Sequence, residues 1–205
     1  MKKITLSLNL GIVGLNTTGQ TIEKNVFLDY LKDYAIISDI KRPKISDSEY
    51  NEFLVIFNEI PIKIKIFFLK DLNDGISRFD KIKTLDIIIL AFNVYDKNSI
   101  DLFQKEAFNE FKEYYTFRGI SVLSGLNGDS DNLSKDAQID TNLIINKVRE
   151  LDLLYGFELK NDEKDIIDFY NKILSDFIFK FQVSSPELVD LSKSYGKELL
   201  DNLKL

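Results

Sequence analysis

The 205-residue sequence predicts an α/β fold: a six-stranded, mostly parallel sheet with helices on both faces and one extra helix at the C-terminal end. Three observations predict it. Apolar segments of strand length alternate with amphipathic segments of helical length, and parallel strands need such crossover helices. Within the run Asp86 to Val94, Ile87 to Phe92 are continuously apolar, as a strand covered on both faces must be. A glycine-containing loop separates the first apolar segment from the first helical one.

Ile4 to Val13 reads as a strand, alternating at first and then apolar throughout. From Gly19 to Tyr34, Ile22, Val26, Leu28, Tyr30 and Leu31 fit one helical face. Ile36 to Tyr50 is polar, contains Pro43 and several serines, and reads as an exposed connection. Phe53–Phe57 and Ile62–Leu69 are two strands around Asn58-Glu59-Ile60-Pro61, an antiparallel hairpin at the sheet edge. Asp71 to Gly75 reads as a loop. After the buried strand Asp86–Val94, Asn98–Tyr115 reads as one helix with Ile100, Phe103, Ala107, Phe108 and Phe111 on one side.

Ile120–Leu123 reads as a short strand, followed by a polar loop from Ser124 to Leu133. Ala137–Glu150 is helical, Leu153–Leu159 is the last strand, and Asp162–Phe181 is an amphipathic helix. Ser184-Ser185-Pro186-Glu187 resembles a capping box and opens a final helix striped by Leu188, Leu191, Tyr195, Leu199 and Leu203. Residues 1–182 then form one domain and 183–205 a helical extension.

Composition narrows the chemistry. Hydrophobic residues make up 44% and charged residues 29%, ordinary for a globular protein. The net charge of −6 disfavours nucleic acid and anionic membrane surfaces as partners. With no cysteine and no histidine, disulfides, thiolate and imidazole catalysis, and thiolate or histidine metal sites are all excluded. The missing cysteine also excludes prenyl and palmitoyl anchors, and Lys2 excludes myristoylation of a second-position glycine. No apolar stretch approaches a spanning helix, the start lacks a signal-peptide pattern, and a cytoplasmic location is expected.

The chemistry concentrates in Gly14-Leu15-Asn16-Thr17-Thr18-Gly19-Gln20-Thr21. A G-x-x-x-x-G loop between strand and helix points backbone N–H groups at a phosphate, and the helix N-terminus adds positive potential. Lysine and then Ser/Thr normally follow the second glycine. Here Thr21 is present and Gln20 takes the lysine's place. The candidate phosphate-binding residues are Gly14, Asn16, Thr17, Thr18, Gly19, Gln20 and Thr21.

This loop and the segment Leu85–Ile100 resemble the small GTPase superfamily, Ras-like and nearest the Arf branch, over residues 3–182. The resemblance implies a P-loop NTPase fold of the Ras-like G-domain type, binding GTP or GDP with Mg2+. It implies Thr21 and Asp71 as metal residues and Asn127, Asp129 and Lys160 as base-binding residues. It also exposes departures. Pro43-Lys44-Ile45-Ser46 has lysine where the magnesium-binding threonine is expected. Asp71-Leu72-Asn73-Asp74 has aspartate at the glycine position that meets the γ-phosphate, and Gly75 stands where the water-orienting glutamine belongs. Leu126-Asn127-Gly128-Asp129 keeps only the aspartate of the guanine-reading motif, and Glu158-Leu159-Lys160 keeps part of the last one.

Losing the loop lysine removes a charge-assisted contact of roughly 1.5–3 kcal/mol, or tens-fold in affinity. Together the departures predict no catalytic residues and a pseudo-GTPase. It would bind a protein partner through a switch-like surface or the C-terminal helix, with nucleotide bound weakly or not at all and otherwise no cofactor. The alternative is a divergent working GTPase in which Lys44 or Lys70 replaces the missing lysine. A receiver-like module would need an acidic cluster at the first strand's end, where Gly14 stands. A calcium loop at Asp129, Asp131, Asp136 and Asp140 lacks the ligand spacing. Oligomeric state is not encoded in any of these patterns.

Overall fold

The computed structural model describes residues 3–14, 26–31, 50–126, 139–159 and 163–203. Six strands form one sheet in the order β2-β3-β1-β4-β5-β6: β1 (Leu6–Val13), β2 (Asn51–Phe57), β3 (Ile60–Leu69), β4 (Ile87–Asn93), β5 (Ile120–Leu126) and β6 (Tyr155–Leu159). Only β2 runs antiparallel, against β3, as the hairpin pattern predicts. Its turn is two residues long. Asn58 and Glu59 both have positive φ, the twist-matching geometry of a tight hairpin, so Ile60 and Pro61 already belong to β3. Pro61 is tolerated there because β1 begins pairing one residue later, at Leu6 with Ile62.

Two helical layers cover the sheet. On one face lie α1 (residues 26–31), α7 (Glu163–Ser184) and α8 (Pro186–Leu203), packed on Leu8, Leu10, Ile12, Ile62, Ile87 and Ile89. On the other lie α2 (Leu72–Ser77), α3 (Phe79–Ile82), α4 (Lys97–Asp101), α5 (Lys105–Tyr114) and α6 (Thr141–Glu150), packed on Val13, Ile88, Leu90 and Leu123. The second layer covers only part of β1 and β3. This explains the mixed pattern of β1: Leu6-Ser7-Leu8-Asn9-Leu10 alternates, whereas Gly11-Ile12-Val13 is buried on both sides. Ile62-Lys63-Ile64-Lys65 in β3 alternates likewise, with Lys63 paired to Glu52 of β2 at 3.0 Å.

Several boundaries differ from the sequence expectation. The predicted helix Asn98–Tyr115 is two helices, because Gln104 is extended (φ −89°, ψ 145°) and buried Phe103 occupies the corner between them. Strand β5 continues to Leu126 instead of ending at Leu123. Ser124 and Gly125 pair with Ala91 and Phe92 and are buried, so their polarity signals a crowded strand, not a loop. Helix α6 starts at Thr141, with Asp140 accepting from the Asn142 N–H at 2.9 Å as its N-cap. The segment Asp71–Gly75, expected as a loop, is the start of α2.

Helices α1 and α7 are joined at a buried aromatic seam. Tyr170 is fully buried, donates its hydroxyl to the Phe27 carbonyl and stacks on Tyr30 at 5.1 Å. Burial holds its phenol well above the ordinary range, so the hydroxyl remains a donor.

Helix α7 runs past the expected end at Phe181 to Ser184, and α8 docks on its own sheet against β3. The buried face is Val189, Ser192 and Gly196, with Leu188 of the expected stripe packed beside it; Leu191 and Leu203 of that stripe are 40% and 57% exposed. Small residues win because the helix lies close to backbone. Ser192 donates to the Ile4 carbonyl at 3.2 Å, and a Cβ on Gly196 would lie 1.8 Å from the Glu59 carbonyl oxygen. Alanine is the better helix former, yet Gly196→Ala is expected to destabilise by about 1–3 kcal/mol through overpacking. A lowered urea midpoint at unchanged m would show it, and a raised midpoint would refute the close docking.

At the opposite end of the sheet from Gly14, Asp86 precedes β4 and accepts from the Asn9 N–H at 2.9 Å. Burial raises its carboxyl pKa above 3.8, opposed by that hydrogen bond and by the Lys180 charge. A raised folded-state pKa means the protonated form favours folding. That contribution is complete below the unfolded pKa and is lost as pH rises through the folded one. Asp86→Asn is therefore expected to raise Tm at pH 7, with the gain shrinking on acidification; an equal gain at every pH would contradict it.

Candidate functional site

The candidate site lies where β1, β3, β4 and β5 end. The connection after β1 leads to β2, at the edge of the sheet on one side, and that after β4 leads to β5 on the other. In open α/β sheets such a reversal leaves a crevice at the strand C-termini.

Gly14 ends β1 with φ +104°, and its N–H donates to the Leu69 carbonyl at 3.2 Å. A Cβ there would lie 2.4 Å from the Ala91 carbonyl oxygen and 2.7 Å from the Phe103 ring. The first glycine of the loop is thus required by backbone crowding as well as by its dihedral. Asn16, Thr17, Thr18, Gly19, Gln20 and Thr21 lie outside the described residues, as do Lys44, Asn127, Asp129 and Lys160.

Beside Gly14 is a cavity of about 380 Å3. Gly14, Lys70, Asp71 and Asn73 line its polar side, and Leu72, Leu102, Phe103 and Ala107 its apolar side. The structure therefore brings Gly14, Asp71 and Lys70 to one place.

Asp71 has a structural occupation there. As N-cap of α2, its Oδ1 accepts from the Asp74 N–H at 2.8 Å. Asp74 reaches back, its Oδ2 accepting from the Lys70 N–H at 2.9 Å, a near relative of a capping box. Arg78 Nη1 lies 3.5 Å from the same Oδ2 and donates to the Phe68 carbonyl at 2.9 Å. Both aspartates are thereby tied to the local backbone.

Gly75 is buried on the α5 side. A Cβ there would lie 2.4 Å from Phe111 Cε2, and its carbonyl accepts from the Tyr115 hydroxyl at 2.7 Å. Burial pushes the Tyr115 phenol up to about 12; Arg78 pulls it down and Asp74 pushes it up. This position faces the interior, against Phe111 and Leu69.

The ends of β4 and β5 are equally committed. Asn93 Oδ1 accepts from the Tyr95 N–H at 2.9 Å, and the Asn93 N–H donates to Ser99 Oγ at 3.0 Å. Asp96 caps α4 through the Asn98 N–H at 3.0 Å. Leu126 is buried in the core between the sheet and α7, and Val94 donates to its carbonyl at 3.2 Å. Asp140 of the acidic loop is the cap of α6. Among the described residues no group of three or more acidic side chains converges as a metal site would require.

The cap was readable in principle. Asp71 and Asp74 stand three apart before an apolar residue, an N-cap pattern masked by the glycine that follows. Nothing in the sequence signals the buried Ser124 hydroxyl, which has no hydrogen-bond partner among the described residues. No helix among the described residues is long and apolar enough to cross a membrane. No protein-family model matches the chain, and no curated protein matches its sequence.

Gly75→Gln is expected to destabilise by about 1–3 kcal/mol by driving α2 off Phe111. Chemical denaturation measures this. A variant as stable as the parent would place residue 75 outside the α2–α5 contact.

Proposed function

We propose that this chain is a small-GTPase-like domain of the P-loop NTPase class that has given up hydrolysis. It acts as a protein-binding or scaffold module, with GTP or GDP bound weakly or not at all. One observation carries the reading: the Asp71 carboxylate is hydrogen-bonded to the Asp74 N–H at 2.8 Å. By resemblance, that N–H would meet a γ-phosphate and that carboxylate would serve Mg2+. Here the two groups satisfy each other, so the residues present do not fit a triphosphate–magnesium group.

Three further features support it. Gly75 has no room for the glutamine that orients water. Leu126 fills the core where the guanine-reading asparagine belongs. Gln20 replaces the loop lysine. Helix α2 is also fastened by Arg78 to Phe68 and by Tyr115 to Gly75, which argues for one static conformation of the switch-like segment. A ligand shifts a conformational equilibrium only through different contacts in the two states. The partner surface is then the switch-like side or the outward face of α8.

A second reading rests on Lys70, which is exposed and lines the cavity beside Gly14. In a divergent working GTPase its ammonium would take over the outer-phosphate contact.

Acid extraction and ion-exchange chromatography of purified protein are expected to release no stoichiometric guanine nucleotide. A ligand at about 100 times its Kd would raise stability by about 2.7 kcal/mol, or Tm by roughly 5–10 °C. GTP with Mg2+ at millimolar concentration is expected to give no such shift, in the parent or in Gln20→Lys. Tight binding by Gln20→Lys would show that only the lysine is missing. Tight binding by the parent that Lys70→Ala abolishes would establish the second reading.

A further inference from the structure

We draw no further inference here: the strongest candidate, the exposed apolar face formed by Phe179 and Val183 on α7 near the cavity at the α7–α8 joint, carries nothing because nothing in the structure shows what covers it.

Discussion

Strand β1 is hydrogen-bonded on both edges, to β3 over its whole length and to β4 over Leu10–Val13, and every other element is positioned from it. A parallel neighbour on each side cannot be reached by a tight turn, so the chain must leave the sheet and cross a face after each of these strands. The crossovers lay down two helical layers, which in turn bury both faces of the central strands. The C-terminal ends of β1, β3 and β4 consequently converge so closely that Gly14 touches the Ala91 carbonyl. The candidate site is a product of that convergence, whatever chemistry the loop beyond it retains.

Around this crevice the starts of α2 and α4 are capped by the chain's own carboxylates. A helix that begins immediately after a strand presents N–H groups with no intrahelical partner, and something must accept from them. At α2 the acceptor is Asp71 and at α4 it is Asp96. A carboxylate engaged in this way stabilises its helix by typically about 1 kcal/mol. A ligand needing the same N–H must displace it and leave a carboxylate to be resolvated. The contacts that hold α2 in one place are thus made within its own first turn and, from Asp74 and Arg78, to the end of β3.

The opposite face shows how tightly the accessory helix belongs to the domain. Helix α8 approaches the β2–β3 hairpin at Gly196, where backbone meets backbone, and Ser192 donates to the Ile4 carbonyl. Lys197 and Glu59, 3.4 Å apart and exposed, add little to this. Burial of Val189 and the close fit at the small residues hold the helix, leaving Leu191 and Leu203 facing outward.

Periodicity by itself determined the six strands, the antiparallel β2, and the buried faces of α5 and α7, because these follow from which residues must avoid water. The break at Gln104, the extension of β5 through Ser124 and Gly125, and the docking face of α8 were decided only by tertiary structure. Each depends on a neighbour far along the chain: Phe103 in its corner, Phe92 and Val94 against Gly125, the Glu59 carbonyl against Gly196. For the site, the sequence by itself singled out Gly14, Gln20, Asp74, Gly75 and Leu126. It took the folded chain to show what Asp74, Gly75 and Leu126 do. Asp74 fastens a helix end, Gly75 makes room for Phe111, and Leu126 fills the core; backbone hydrogen bonds and packing, not spacing, settle those roles.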